Sequence, residues 1–384
     1  MSIADIARVG RPAADTSRRD PSAPFRHVDV VLIVCTLGVA ALSVFMVFSA
    51  TRGPEAPFDT YFLKRQGMFV ALGAVLAAVA ATVDYRRIRD FAPFLYGGSV
   101  LLLVAVVSPL GSSSKGAQAW FSLGAFQLQP SEFAKLALIL GMGSVLAAWE
   151  GDIDLRRLAA LLALAGAPMA LIMLQPDLGT VLVFVAITMA MLLVGGVRAR
   201  HILLLTIVGV VGVVGVLNSD VLADYQKDRL TAFADPEADT QGTTYNLSNS
   251  IAAVATGGLA GQGYGEGTQT QLGFVPEQQT DFIFTVVAEE LGFAGSATLL
   301  GLYGIICWRI WRTALLARDT FGMLVCVGVL AMFAFQIFQS VGMTTGIMPV
   351  TGIPLPFLSY GGSSSLTSFL AIGLVLNVHM RRYC

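Results

Sequence analysis

The sequence predicts an all-α polytopic membrane protein of about ten transmembrane helices with a large ordered extracytoplasmic loop, and three observations carry that prediction. Hydrophobic residues make up 55% of the chain and charged residues only 13%, with a mean hydropathy of +0.72, far from the balance of a soluble domain. The apolar residues gather into runs long enough to cross a hydrocarbon core of about 30 Å, which takes roughly 20 residues of helix. The arginines sort onto one side of those runs, as short cytoplasmic loops require.

Residues 1–26 are rich in Arg, Pro, Ser and Asp without an apolar period, which predicts a disordered cytoplasmic tail. The rest, 27–384, is expected to be one transmembrane domain. Candidate spans lie near 29–50, 66–83, 91–109, 131–149, 158–174, 178–197, 202–217, 284–308, 321–343 and 364–380. The first is too long for a signal-peptide core and is expected to be retained. An even number of spans puts both termini on one side. That side takes Arg8, Arg11, Arg18, Arg19 and Arg26 of the tail, then Arg86, Arg87, Arg89, Arg156, Arg157, Arg198, Arg200, Arg309, Arg312, Arg318, Arg381 and Arg382. These are 17 of the 24 basic residues, so the side is cytoplasmic. A net charge of −1 gives no sign of a nucleic-acid partner. Cys35, Cys307, Cys326 and Cys384 show no CxxC spacing, and neither a disulfide framework nor a zinc site is indicated.

With this topology the polar stretch 218–283 faces outward. A connection of that length is usually functional or disordered. Its apolar run SNSIAAVATGGLAGQGYGEG predicts a short interfacial or re-entrant helix followed by turns. The segments GSSSKGAQAWFSLGAFQLQPSE (111–132) and GIMPVTGIPLPFLSYGGSS (346–364) are equally rich in Gly, Pro and Ser and would converge on the same outer face.

His27, His201 and His379 all fall at predicted cytoplasmic helix ends, so acid-base chemistry on the outer face falls to a carboxylate. Most outer acids read as solvated loop charges. Asp281 differs, because it is the last polar residue before the apolar FIFTVV. Thr280 or Asp281 would make a good helix cap, and a base at the loop-to-bilayer junction is the competing reading. Glu289 and Glu290 follow within the span. An adjacent acidic pair there implies partners or a wet cavity, with Lys135 or Arg65 as cations for a structural pair. In QPSEFAK (129–135), Pro130 starts a helix and Glu132 faces Lys135 at i,i+3. In QPDLGT (175–180), Pro176 breaks one helix and Asp177 caps the next. A tight outer turn is the plain reading of QPDLGT, and a broken helix lining a cavity the sharper one.

Taken in order, WFSLGAFQLQPSEFAKLAL, QPDLGT, GGLAGQGYGEGTQTQLGFVPEQQTDFIFTVVAEELGF and TGIPLPFLSYGGSS resemble the SEDS family of bacterial membrane proteins, the RodA, FtsW and SpoVE group, over nearly the whole chain. The run GEGTQTQLGFVPE is more similar to the RodA elongation branch than to the FtsW division branch. The resemblance implies a plasma-membrane peptidoglycan glycosyltransferase that polymerises lipid II on the extracytoplasmic side and releases undecaprenyl pyrophosphate. It places the essential carboxylate at Asp281, with Lys115, Glu132, Lys135, Asp177, Arg229, Glu277, Arg65 and Ser359 as substrate-binding candidates. A divalent cation, Mg or Mn, bridging the phosphates is compatible with this chemistry, and Lys227 is a further cation for it. The implied partners are a class B penicillin-binding protein transpeptidase and other membrane proteins of the elongation complex. Three positions depart from the family pattern: Ala119 stands where Arg is common, Gln279 where His is usual, and Asn249 where Gln is typical. A lipid II flippase, with the same cavity and acids, and a non-catalytic scaffold of the cell-wall machinery are the alternative readings.

Overall fold

The computed structural model describes residues 27–53, 58–114, 117–124, 126–149, 153–217 and 243–382. Its elements, in chain order, are α1 (Val30–Thr51), α2 (Tyr61–Thr82), α3 (Tyr85–Val107), β1 (Ser112–Ser114), β2 (Ala117–Leu123), β3 (Phe126–Leu128) and α4 (Pro130–Ala148). Then come α5 (Leu155–Met173), α6 (Leu178–Val194), α7 (Ala199–Leu217), α8 (Thr243–Thr256), α9 (Thr268–Gln271), α10 (Ile283–Leu315), α11 (Thr320–Thr344) and α12 (Gly362–Met380). Among the described residues, 8 helices are long and apolar enough to cross a membrane, and α6 and α7 supply shorter apolar helices. Each of the predicted spans therefore has its helix. The predicted disordered tail lies outside the described residues.

Several boundaries move, and α3 begins at Tyr85 rather than near 91. α2 begins at Tyr61 and α10 runs on to Leu315, and arginines beyond the apolar cores find partners there. Arg65 lies over the Tyr61 ring at 4.6 Å, and Arg309 reaches Asp29 at 2.7 Å. The segment 111–132, expected only as an ordered loop, forms a three-stranded antiparallel sheet, β1-β2-β3, with Ser112 opposite Trp120 and Phe121 opposite Leu128. Gln118 anchors it by donating from Nε2 to the Ser108 carbonyl at 2.7 Å.

α12 is the axis of the bundle, with nearly every residue buried. It packs closely on α2 because the facing residues are small, the feature that lets membrane helices approach backbone to backbone. A Cβ on Gly373 would lie 2.6 Å from the Ala77 carbonyl, and one on Gly73 2.4 Å from the Phe369 ring. The carbonyls left over at the end of α2 are taken up by α12: Asn377 Nδ2 donates to Ala80 O at 2.6 Å and Arg381 Nη2 to Thr82 O at 2.6 Å. Tyr85 donates its hydroxyl to Asp319 at 2.7 Å. With the Asp29–Arg309 pair, these contacts gather at one end of the bundle the helix ends that the arginine pattern assigns to one side.

α10 is broken. Gly292 has φ 65° and ψ −162°, a conformation that an L side chain tolerates poorly. The backbone groups freed by the break are not lost. Glu289 O and Glu290 O accept from the amides of Gln262 and Gly263 at 3.0 and 3.1 Å, while the amides of Phe293 and Ala294 donate to Gly258 O and Leu259 O at 2.9 and 3.1 Å. The GGLAGQG segment after α8 thus substitutes for a missing turn of helix, which satisfies the rule that buried backbone at membrane depth be fully paired. It fits only as glycine: a Cβ on Gly257 would meet Ala288 O at 1.9 Å and one on Gly261 would meet Glu290 O at 2.1 Å.

Candidate active site

Four segments meet at the end of the bundle opposite the arginines. The turn 275–282 is built around the carbonyl of Glu277, which accepts from the amides of Thr280 and Asp281, both at 3.1 Å; Glu277 itself has a positive φ of 55°. Gln278 is buried and pins the turn to its neighbours by donating from Nε2 to Ala50 O at 2.8 Å and Thr270 O at 3.0 Å. The Gln279 carbonyl accepts from the Tyr360 amide at 2.9 Å. Asp281 is half-buried at the end of this turn. Its carboxylate lies against the next segment, since a Cβ on Gly352 would be 3.3 Å from Asp281 Oδ2.

From Gly352 the contacts continue around the site. The Thr351 carbonyl packs so closely on Gly179 that a Cβ there would sit 2.7 Å away. Asp177 Oδ1 caps α6 through the Thr180 amide at 2.9 Å, and Oδ2 accepts from the Thr180 hydroxyl at 2.7 Å. QPDLGT is therefore the tight capped turn between α5 and α6, and the broken helix of this fold is α10. Gln129 Nε2 approaches Asp177 Oδ2 at 3.5 Å, and the Gln129 amide donates to Ser363 Oγ at 2.9 Å. Asp177, Asp281 and the start of α4 thus belong to one junction.

Glu132 and Lys135 form a buried ion pair at 2.8 Å, with side chains 4% and 2% exposed. Ser359 is also sealed, and its hydroxyl accepts from the Leu355 amide at 2.8 Å, so it shapes its own loop. Lys115 and Arg229, like Lys227, lie outside the described residues. Ala119 is buried on β2. Among the described residues no three or more His, Cys, Asp or Glu side chains are grouped to hold a metal ion.

α10 starts at Ile283 with Phe282 at the N-cap position, and Thr280 Oγ1 turns back to Glu277 O at 3.2 Å. One expectation is corrected: the acidic pair is not matched to Lys135, which pairs with Glu132. Glu289 accepts from the amides of Gln269 and Thr270 at 2.6 and 2.9 Å and from the Thr270 hydroxyl at 2.6 Å, which fastens α9 to the broken helix. Glu290 accepts from Ser49 Oγ at 2.6 Å, with Arg52 as its charged neighbour. Bonds to an ionised acceptor contribute about 1.5–3 kcal/mol each. Glu289→Ala is therefore expected to destabilise the protein by about 3 kcal/mol or more and to speed amide exchange across 268–271, as thermal unfolding and hydrogen exchange would read.

Sequence reasoning missed the positions of Gln175 and Gln278. Both are glutamines in turns, and only their burial, at 1% and 8% exposure, marks them out.

The family model for cell cycle proteins, covering FtsW, RodA and SpoVE, matches residues 29–384. The chain is 38% identical to stage V sporulation protein E of Bacillus subtilis over 91% of its own length and 96% of that protein. It is 35% identical to peptidoglycan glycosyltransferase MrdB of Escherichia coli K12, over 93% and 94%. Among solved structures, it superposes on a chain from work described as structural coordination of polymerization and crosslinking by a peptidoglycan synthase complex, with a TM-score of 0.78, 33% identity and coverage of 93% and 98%. The rod shape determining protein RodA of Thermus thermophilus matches with a TM-score of 0.68, 32% identity and coverage of 93% and 98%. With ten apolar helices among the described residues, a junction of four segments at one end of the bundle and these likenesses along more than nine-tenths of its length, the chain is an integral membrane protein that belongs to the FtsW, RodA and SpoVE family.

Proposed function

We propose that the protein polymerises lipid II into β-1,4-linked glycan strands on the extracytoplasmic face of a bacterial plasma membrane, with both termini cytoplasmic, and that it serves cell elongation. It is a peptidoglycan glycosyltransferase, as MrdB of E. coli is. The observation that supports the mechanism is Asp281, a half-buried carboxylate at the loop-to-helix junction whose Oδ2 lies against Gly352. In this reading Asp281 takes the proton from the 4-hydroxyl of the acceptor's GlcNAc. The hydroxyl oxygen then bonds to C1 of the donor MurNAc with inversion, the C1–O bond to phosphate breaks, and undecaprenyl pyrophosphate leaves. A pyrophosphate leaves without a proton and calls instead for positive charge, which Lys135, Arg65, Lys115 and Arg229 are the candidates to supply. Asp177 and Glu277 frame the same junction.

Elongation is supported by GEGTQTQLGFVPE, which resembles the RodA branch. The chain holds no crosslinking nucleophile motif, so we pair it with a class B penicillin-binding protein and the membrane proteins of an elongation complex. Purified protein in liposomes with labelled lipid II is expected to make glycan strands, faster with its cognate transpeptidase present. Transbilayer movement of lipid II without any strand product would overturn the reading.

A further inference from the structure

We propose that Gln175 binds an acetamido group of the sugar substrate, an inference that rests on reading the chain as a lipid II polymerase. Gln175 is 1% exposed, and neither Oε1 nor Nε2 of its amide has a hydrogen-bond partner, with both atoms sealed from solvent. Buried amides without partners are rare in folded proteins, and each one asks for an explanation. The turn does not need this one. Its backbone is held by Gln175 N–H to Ile172 O at 3.0 Å, and α6 is capped by Asp177. A leucine or methionine would fill the same space without the unsatisfied groups.

The position explains what the amide is for. Gln175 stands two residues before Asp177, in the junction that the contacts of Gln129 with Asp177 and of Gly179 with Thr351 close. Ser131 Oγ and Thr351 Oγ1, on the segments that meet there, are likewise buried without partners. The junction therefore carries neutral donors and acceptors left open beside charged groups that are already engaged. Neutral hydroxyl and amide groups are the complement of a sugar. A primary amide offers one carbonyl and two N–H donors, which pair with the N–H and C=O of an acetamido group in a two-bond match, and both sugars of lipid II bear that group.

Gln175→Leu and Gln175→Met test this in purified, reconstituted protein. Polymerisation of lipid II is compared with that of an analogue carrying a hydroxyl in place of the acetamido group, and thermal unfolding is followed alongside. Both variants are expected to unfold at or above the wild-type temperature. Their kcat/KM on lipid II is expected to fall about 10- to 100-fold, as for the loss of two neutral hydrogen bonds, and the wild-type preference for the acetamido substrate is expected to shrink towards unity. If wild-type protein polymerises lipid II and the variants keep its preference, the proposal is overturned. A variant that unfolds well below the wild type, or fails to fold, shows the amide to be structural and overturns it as well. Absence of polymerisation by the wild type itself instead overturns the underlying reading.

Discussion

Asp281→Asn is expected to lower polymerisation by about 10²- to 10⁴-fold, the contribution of a positioned general base, while folding and lipid II binding stay intact. In barrier terms this is about 3–5 kcal/mol. The substitution keeps the size of the side chain and removes its negative charge and its ability to take a proton. Loss of an N-cap would cost about 1 kcal/mol of stability. Asparagine is itself a good N-cap residue, so a purely structural role for Asp281 predicts near-normal polymerisation. Stability and activity should therefore separate cleanly in this variant. The measurement is strand synthesis from labelled lipid II by folded, monodisperse protein. Synthesis within a few-fold of the wild-type rate would remove the base assignment and move attention to Glu277, on the same turn and bonded to Thr280 through Oε2 at 3.3 Å.

The transmembrane helices were legible because hydropathy and length constrain a membrane span more tightly than any soluble element. The convergence of the Gly-, Pro- and Ser-rich loops at one end of the bundle was legible from their shared composition. The break at Gly292 was not. Glycines are common in membrane helices, and nothing local distinguishes Gly292 from Gly295 or Gly301. Its conformation is set by GGLAGQG, a segment about thirty residues earlier whose amides and carbonyls replace the missing turn. Glu289 illustrates the same limit. From sequence it is half of an expensive acidic pair, whereas in three dimensions three donors of α9 surround it. The β-sheet at 112–128 was hidden for another reason: its strands are 3, 7 and 3 residues long, too short for alternation to rise above the surrounding Gly and Ser.

Lys135→Met is expected to destabilise the protein by about 3–5 kcal/mol, because it leaves the carboxylate of Glu132 buried without its counter-charge. The pair is 2.8 Å apart and buried, so little solvent replaces the ammonium in the single variant. Pairing Lys135→Met with Glu132→Met removes both charges, and buried pairs replaced by apolar groups of similar volume are often neutral or more stable. The double variant is thus expected to recover the unfolding temperature. It is not expected to recover activity. Its bond to Glu132 uses one of the three donors of the Lys135 ammonium, and the others suit a pyrophosphate whose negative charge grows as the C1–O bond breaks. Removing one preorganised electrostatic group of this kind costs about 10²- to 10³-fold in rate. Thermal unfolding and strand synthesis, measured on the single and double variants, separate the two roles. A stable double variant that polymerises lipid II within a few-fold of wild type would show the pair to be a structural element of α4 alone.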